Sequence, residues 1–366
     1  MEIRLLKIYE FDRLLEAIHD LWNPNHVYCR NPDLLKYMVY NTPYRKDYCG
    51  NDEDTTYYVI FDKDKIIGFS GLIPQEGNLH GKTVTATTGT ILKVDSHYKL
   101  IGLDLLQAGF KTNQCIHVGL GINSRVKKLY NALGWYTFDD LPRWIWTNNF
   151  SKLKKVFNIP DNTNISCLQN NQCSNIIFDD GNFVDFVDKD AWDEFYNKEF
   201  APITIGIKRN YKFLQWRYID YPFFNYKLIA LKDALGNYKG LAVYRIEDIL
   251  NGKYQIGRIL EFIYTDIDYG IQLAAKLQTV DKNILFWDFY CQSSITALAL
   301  ERCGFIRLPA NENQKYIPTR FQPIDFEIMN IKGIISLNEG AKKKINLAID
   351  QQWYVTRGDG DQDRPN

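Results

Sequence analysis

The sequence predicts an α/β protein built from two tandem copies of one domain, each a mixed β-sheet with helices on both faces. Elements in the first part read in the order β-α-α-β-β-β-α-β-α-β, so antiparallel strands lead into a β-α-β-α-β unit. The same order returns about 170 residues later, which is a domain length. The 366 residues also exceed what one hydrophobic core usually serves.

Hydrophobic spacing and turn residues define the first copy. Apolar residues at helical spacing follow Phe11, Pro32 opens a second helix, and Gly134 closes the last one. Thr-rich and Val/Ile-rich runs mark the strands. The expected strands are 3–8, 55–61, 66–73, 84–94, 115–122 and 136–146, and the expected helices are 11–22, 31–40, 102–110 and 123–133.

The second copy repeats the hairpin, the long strand and the strand-helix tail. The clearest register aligns 123–135 with 293–305. We expect one domain at 1–150, a linker at 151–174, a second domain at 175–330, and a C-terminal segment at 331–366 that packs back toward the cleft.

Composition excludes several classes of protein. Lys plus Arg equals Asp plus Glu at 44 each, which disfavours a general electrostatic grip on nucleic acid or an anionic membrane. The chain has no signal-peptide pattern at its start and no apolar run of roughly 20 residues, so we expect a cytoplasmic protein without membrane insertion. The seven cysteines lack zinc-site spacing, so reduced thiols and no metal are expected.

Two strand-loop-helix junctions of the first copy can carry chemistry. The loop at 95–99 opens a helix at Gly102, where free N–H groups and the helix dipole suit an anion such as a pyrophosphate, although such junctions are also common in purely structural roles. Asn123 starts the next helix, and Tyr130 lies two turns later on the same side. The structural alternatives are a plain helix cap and a packed aromatic.

These residues resemble the motifs of the GNAT acyltransferase superfamily, in the loop Lys99-Leu-Ile-Gly102-Leu-Asp104 and in Asn123-x-x-Val-x-x-x-Tyr130 followed by Gly-Trp. The resemblance implies that Asn123 contacts the pantetheine arm of an acyl-coenzyme A (acyl-CoA) co-substrate, and that Tyr130 protonates the departing thiolate. A backbone N–H near Val94 would polarise the thioester. Other residues expected at the coenzyme A are Lys99, Leu100, Ile101, Gly102, Leu103, Asp104 and Lys127.

The sequence departs from the superfamily pattern at several positions. Asp104 stands where Gly or Ala is usual, and Lys99 replaces Arg. The second copy has an acidic loop at 265–270 and Leu300 at the position of Tyr130. We therefore expect the first copy to bind coenzyme A and the second to serve as a structural or substrate domain.

A narrower resemblance, to sugar N-acyltransferases of bacterial surface-polysaccharide pathways, rests on the stretch 216–222 and the Gly-Asp-x-Asp-x-Asp-Arg-Pro ending. It implies a nucleotide-linked, probably dTDP-linked, amino sugar as acceptor. Trp216 and Tyr218 would stack on the base, and Lys208, Arg209 or Arg217 would meet the diphosphate. The alternatives are core aromatics and a solvated tail. The ending would contact the sugar, its amine or a phosphate through Asp359, Asp361, Asp363 and Arg364.

His117 is the candidate general base, with a core histidine as the alternative. Asp95, His97 or a water molecule are other routes for the proton. Two other functions stay open: an aminoacyl transferase acting on a cell-wall precursor, which would lack the coenzyme A loop, and a non-catalytic binding module. We expect a monomer or a weak dimer.

Overall fold

The computed structural model describes residues 1–98, 101–110, 114–160, 182–308, 316–321, 324–325, 331–342 and 353–363. Lys99, Leu100 and Arg364 lie outside the described residues. The strands are β1 (Glu2–Lys7), β2 (Asp54–Asp62), β3 (Lys65–Leu79), β4 (Lys82–Val94), β5 (Ile116–Leu120), β6 (Tyr136–Phe138), β7 (Arg143–Trp146), β8 (Phe183–Val184), β9 (Ile205–Ile207), β10 (Lys227–Lys232), β11 (Tyr238–Ile249), β12 (Tyr254–Tyr264), β13 (Ile284–Gln292), β14 (Ile306–Arg307), β15 (Arg320–Phe321), β16 (Ile324–Asp325), β17 (Gly333–Leu337) and β18 (Trp353–Thr356).

The helices are α1 (Phe11–Leu21), α2 (Val27–Arg30), α3 (Pro32–Tyr40), α4 (Arg45–Cys49), α5 (Ile101–Phe110), α6 (Ser124–Ala132), α7 (Phe150–Phe157), α8 (Lys189–Phe195), α9 (Tyr211–Leu214), α10 (Ile267–Thr279), α11 (Ser294–Arg302) and α12 (Glu339–Lys342). Short 3-10 helices are Ile8–Glu10, Ser96–Tyr98, Ala201–Ile203 and Arg357–Asp359, and π-helical turns are Tyr196–Phe200 and Gln215–Ile219. Most predicted elements of the first copy are present within a few residues. The strand expected at 136–146 is two strands, because Pro142, which has no N–H, interrupts it.

The sheet of the first half runs β1-β2-β3-β4-β5-β17-β6, antiparallel except for the parallel β4–β5 pair. Alternate residues of β2 face opposite sides. Tyr57 and Val59 belong to the core under α1 and α3, whereas Tyr58 and Ile60 pack with Leu105 of α5. Helices therefore cover both faces, as predicted.

The second half repeats this arrangement. A hairpin (β10–β11) leads into β12, which is antiparallel to β11 and parallel to β13, and helices α10 and α11 follow the two parallel strands. The prediction of two tandem mixed-sheet units is confirmed. Their strands join into one sheet through β3, β9, β18 and β13, in an order that is not sequential.

Each half completes the sheet of the other. Strand β7, expected within the domain at 1–150, lies between β13 and β14 of the second half. Strand β17, expected in the C-terminal segment, lies between β5 and β6 of the first half. The two inserted strands occupy equivalent places, because β13 and β14 correspond to β5 and β6 in the repeat. The strand pairing thus crosses the domain boundary that local sequence patterns suggest.

The end of the chain is built into the core. Strand β18 pairs with β9 on one side and β13 on the other, and residues 353–361 and 363 are buried. The expectation of reduced thiols needs correction at Cys303, which is in a disulfide. Among the other described cysteines, Cys29, Cys49, Cys115 and Cys291 are reduced.

Candidate functional site

Strands β4 and β5 pair only as far as Gly89 and Gly119, beyond which a gap opens between them. Strand β4 also contains a bulge at this point, since Leu72 pairs with Gly89 but Ser70 pairs with Leu92, so β4 holds one more residue than β3. A bulge leaves its extra residue unpaired and is frequent beside active sites. The gap and the bulge together form the candidate site.

A cavity of about 50 Å³ occupies this gap. Its walls come from β3, β4, β5, β17 and the helices α5 and α6. They comprise Ser70, Gly71, Leu72, Gly89, Thr90, Leu92, Leu106, Gly109, His117, Gly119, Leu120, Ile122, Tyr130 and Ile334. Two expected catalytic residues, Tyr130 and His117, therefore line the same cavity.

The second half has an equivalent gap, between β12 and β13, and another part of the chain occupies it. Strand β12 has a bulge at Leu260, between Ile259 and Glu261, which corresponds to the bulge of β4. Its gap holds β18: the Tyr354 hydroxyl accepts a hydrogen bond from the backbone N–H of Phe262 at 3.0 Å and donates one to Glu261 at 2.8 Å. The chain's own C-terminal segment thus fills the second gap, and Leu300 replaces Tyr130 there.

Helix α5 begins at Ile101, after the 3-10 helix Ser96–Tyr98 that follows β4. Gly102 approaches Val94, since a Cβ at Gly102 would lie 3.6 Å from a Val94 methyl group. Leu103 and Asp104 are exposed in the first turn. A carboxylate at this end of a helix is favoured by the dipole, which explains Asp104 without a ligand. Val94 pairs with Gly68 and lies beyond the bulge, so the irregular part of β4 is earlier than expected.

Asn123 caps α6. Its side-chain oxygen accepts hydrogen bonds from the N–H groups of Arg125 at 3.0 Å and Val126 at 2.9 Å. The cap is therefore observed, and a contact to a ligand would use the amide nitrogen of Asn123. Lys127 is paired with Asp139 at 2.6 Å. Lys332, beside β17, donates to Ser124 at 2.6 Å and adds a cation at this helix end.

Tyr130 is 6% exposed, and its ring stacks on Trp135 with centroids 4.6 Å apart. Burial raises the pKa of the Tyr130 phenol to about 12. The phenol therefore stays protonated at neutral pH. Since a thiol has a pKa of about 8.5, full proton transfer from this phenol to a thiolate runs uphill, and a hydrogen bond to sulfur is the better-supported role.

His117 is buried, and its Nδ1 shares a hydrogen bond with the Thr87 hydroxyl at 2.9 Å. Burial lowers the pKa of the His117 imidazole to about 4. The ring is therefore neutral near pH 7 but a weak proton acceptor. This environment disfavours the expected role of His117 as a general base.

The aromatic segment expected to bind a nucleotide is part of the core. Trp216, Arg217 and Tyr218 are at most 5% exposed. Trp216 stacks on Tyr37, Arg217 donates to the carbonyl of Gly358 at 3.1 Å, and Tyr218 donates to Glu261 at 2.7 Å. These contacts correct the expectation of base stacking and diphosphate binding, because the groups needed for it are enclosed.

Two of the three terminal aspartates also serve the core. Asp359 pairs with Arg209 at 2.7 Å, and Asp363 pairs with Arg245 at 3.0 Å. They belong to a buried group of six arginines and six carboxylates. Its members are Arg143, Arg209, Arg217, Arg245, Arg258, Arg357, Glu247, Glu261, Asp288, Asp359, Asp361 and Asp363. Asp359 and Asp363 are therefore not available to a sugar, which corrects that expectation.

Asp361 differs from its neighbours. It receives a hydrogen bond from the Tyr28 hydroxyl at 2.9 Å, and the adjacent Gln362 donates to the carbonyl of Leu120 at 3.2 Å. A Cβ at Gly360 would lie 3.8 Å from the carbonyl oxygen of Gly89. The C-terminal segment thus reaches the point where β4 and β5 separate. The expectation of a C-terminal segment that packs back toward the cleft did not specify these contacts, because they join residues more than 200 positions apart.

Among the described residues, no group of three or more His, Cys, Asp or Glu side chains is arranged to hold a metal ion. No helix within the described ranges is long and apolar enough to cross a membrane.

No protein-family model and no curated protein matches the chain. Solved structures do. A GCN5-related N-acetyltransferase from Anabaena variabilis aligns with a TM-score of 0.57 and 12% identity, over 92% of this chain and 72% of that one. A probable N-acyltransferase from Enterococcus faecalis aligns with a TM-score of 0.55 and 10% identity over the same shares. N-myristoyltransferase from Saccharomyces cerevisiae, solved with bound myristoyl-CoA, aligns with a TM-score of 0.51 and 12% identity, over 92% of this chain and 78% of that one.

At these identities the likeness establishes the fold. The chain therefore has the fold of the GCN5-related N-acetyltransferases, and its structure contains two repeated α/β units.

Proposed function

We propose that the protein is an acyl-CoA-dependent N-acyltransferase whose reaction takes place between β4 and β5. The observation that carries this proposal is the gap beyond Gly89 and Gly119, with the bulge of β4 at its edge and Tyr130 in its wall. The solved structures with this fold add support, since they include N-acetyltransferases and an N-myristoyltransferase with bound myristoyl-CoA.

The co-substrate would enter from the first turn of α5. Free N–H groups of that turn, with Gly102 allowing close approach, would hold the pyrophosphate, and Lys99 would add charge. The pantetheine arm would follow β4 toward Gly89. Asn123 would meet it through its amide nitrogen, beside Lys127.

The second half supports a specific donor for the thioester. Its Phe262 N–H, just beyond the bulge of β12, binds the hydroxyl that fills that gap. The equivalent N–H in β4 belongs to Leu92. We therefore assign the polarisation of the thioester oxygen to Leu92 in place of Val94.

The chemical step would be direct attack. The amine nitrogen bonds to the thioester carbon and loses one proton to a base, the carbon–sulfur bond breaks, and coenzyme A leaves as a thiolate that then takes a proton from solvent. The Tyr130 phenol would donate a hydrogen bond to the departing sulfur. Asp361 lies in the chain between Gly360, which is beside the Gly89 carbonyl, and Gln362, which binds the Leu120 carbonyl, and its carboxylate would bind the amine and take its proton.

The proposed acceptor is the amine of a nucleotide-linked amino sugar, probably dTDP-linked, used in the cytoplasm for surface polysaccharide. Its support is the sequence resemblance alone. The motifs behind that resemblance lie in the core, so most contacts to the sugar and the nucleotide would come from other residues. Of the residues in those motifs, we keep only Asp361 as a contact to the acceptor.

Mass spectrometry of acyl-CoA with a panel of primary amines tests the function. The panel includes dTDP-amino sugars, amino acids and peptides with a free N-terminus. Acylated amino sugar supports the full proposal, whereas acylation of another amine supports the enzyme and rejects the acceptor. Acceptor modification without coenzyme A binding would favour an aminoacyl transferase. Neither binding nor acylation would favour a non-catalytic module.

A further inference from the structure

A second cavity, of about 490 Å³, lies between α5 and α6 and against β5 and β17. It adjoins the gap between β4 and β5, since Leu106 and His117 line both cavities. Gly89 and Gly119, the last paired residues of β4 and β5, line the smaller cavity, and a Cβ at Gly89 would lie 3.5 Å from the His117 ring.

The lining of the larger cavity combines four leucines and a tryptophan with polar side chains. It consists of Leu103, Leu106, Gln107, Gln114, His117, Leu133, Trp135, Ser336, Leu337, Asn338 and Glu339. Leu103 and Leu133 are 37% and 40% exposed, so their apolar surface is open to a ligand. Among the described lining residues, Glu339 alone carries a formal charge at neutral pH, because the His117 ring is neutral there.

We infer that this cavity binds the acyl chain of the co-substrate, and that the acyl group is a linear fatty chain rather than acetyl. The inference rests on the proposed function. A methylene group occupies about as much space as a water molecule, about 30 Å³, so the cavity has room for a chain on the order of ten carbons. Its volume is also within the range of about 300–1,000 Å³ found for pockets that bury small ligands.

The residues that line both cavities define the path that the acyl chain would take. With the thioester at Gly89 and Gly119, a chain would pass His117 and Leu106 and then lie between the two helices. The neutral His117 ring and Trp135 would contact its first carbons, and Leu133 and Leu337 would contact its end. Each buried methylene should then tighten binding about fourfold until the cavity is full.

Calorimetric titration with coenzyme A, acetyl-CoA, butanoyl-CoA, octanoyl-CoA and dodecanoyl-CoA tests the inference. We expect affinity to rise with chain length, by at least about 100-fold from acetyl to octanoyl. If coenzyme A and acetyl-CoA bind but longer chains bind no better, the inference is wrong while the proposed function stands. If coenzyme A itself does not bind, the proposed function fails.

Two substitutions, one within α6 and one at its C-terminal end, distinguish a loss of cavity volume from the general effect of adding a tryptophan. Leu133→Trp narrows the cavity, whereas Leu129→Trp changes a leucine of similar exposure, 38%, that does not line it. We expect Leu133→Trp to weaken octanoyl-CoA binding about tenfold or more with coenzyme A affinity unchanged, and Leu129→Trp to leave both unchanged.

Ser336 of β17 lines another side of the larger cavity and offers an independent variant in case Leu133→Trp unfolds the end of α6. Ser336 pairs with His117 across β17 and β5, so Ser336→Phe places a ring beside His117. Loss of octanoyl-CoA affinity in this variant, with an unchanged unfolding temperature, supports the inference. Equal affinity for octanoyl-CoA in the wild type and both cavity variants would overturn it.

Discussion

The side-chain amide of Gln362 donates a hydrogen bond to the backbone carbonyl of Leu120 at 3.2 Å. This contact joins the end of the chain to the last residue of β5, at the candidate site of the first half. The same segment begins as β18 in the equivalent gap of the second half. One stretch of about ten residues therefore closes one gap and borders the other.

Removal of residues 357–366 should destabilise the whole protein. The truncation leaves Arg209 without Asp359 and Arg245 without Asp363, all of them buried. Breaking a buried ion pair by deleting one partner costs about 3–5 kcal/mol, which is a large part of a typical stability of about 5–15 kcal/mol. Thermal unfolding measures the effect, and an unchanged unfolding temperature would show that the segment is only a tail.

Acid should loosen this segment through Asp363. Burial alone would raise the pKa of Asp363, but Arg245 and Arg357 outweigh it and hold that pKa well below its usual range. A carboxyl with a lowered folded pKa stabilises the protein above its unfolded pKa of about 3.9, and this contribution is lost as pH falls below that value. Unfolding free energy should therefore decline steeply below about pH 4. Asp363→Asn should be less stable at pH 7 and show a shallower decline.

Local patterns predicted the repeated strands and helices because each is encoded within a few turns of chain. They also predict a strand at 353–356, which is β18, but not its pairing with β9 and β13, and they do not predict β17, because these partners are distant in sequence. They also suggested a solvated tail or a sugar site for Asp359 and Asp363, since glycines and the chain end surround them. The sequence did contain a signal that buried carboxylates are needed. Arg245 and Arg258 interrupt apolar strands, and buried arginines require carboxylate partners.

For the candidate site, the strand-helix order singled out both Tyr130 and His117, and both line the cavity between β4 and β5. It did not predict the environment of His117, because burial depends on α5, α6 and β17 together. The repeat held one unused clue. Phe262 and Leu92 occupy equivalent positions in the two halves. This equivalence identifies the Leu92 N–H as a candidate donor to the thioester only after the structure shows that the Phe262 N–H binds the Tyr354 hydroxyl.

Because His117 is buried, we expect a second loss of stability on acidification, at a higher pH than the loss caused by Asp363. The unfolded chain binds a proton at this residue below about pH 6.5, whereas the folded protein does so only near pH 4. Stability is therefore lost as pH falls between these values, by about 3 kcal/mol in total. His117→Asn should flatten this part of the unfolding profile, whereas His19→Gln, at an exposed site, should not. Parallel slopes for the wild type and His117→Asn would show that the ring titrates normally.

Tyr130→Phe should lower turnover and leave affinity for acyl-CoA little changed. The substitution removes a hydrogen bond to charged sulfur, worth about 1.5–3 kcal/mol, and so slows the reaction about 10–100-fold. The ring can still stack on Trp135, so the unfolding temperature should be preserved. Tyr254→Phe, in the second half, is the matched control. Full turnover in Tyr130→Phe would assign stabilisation of the thiolate to solvent.

Asp361→Asn should separate chemistry from stability. An amide has nearly the same shape and still accepts the hydrogen bonds from Tyr28 and Gln362, so the variant should fold and lose less stability than Asp363→Asn. It takes no proton from the amine, however, and loss of a general base lowers turnover about 10²–10⁴-fold. Asp363→Asn, two residues later, should behave in the opposite way, because its carboxylate pairs with Arg245 rather than facing the gap between β4 and β5. Steady-state kinetics and thermal unfolding of both variants make the comparison. If Asp361→Asn loses stability as Asp363→Asn does and retains turnover, the carboxylate of Asp361 belongs to the buried ionic group alone, and the amine loses its proton to water.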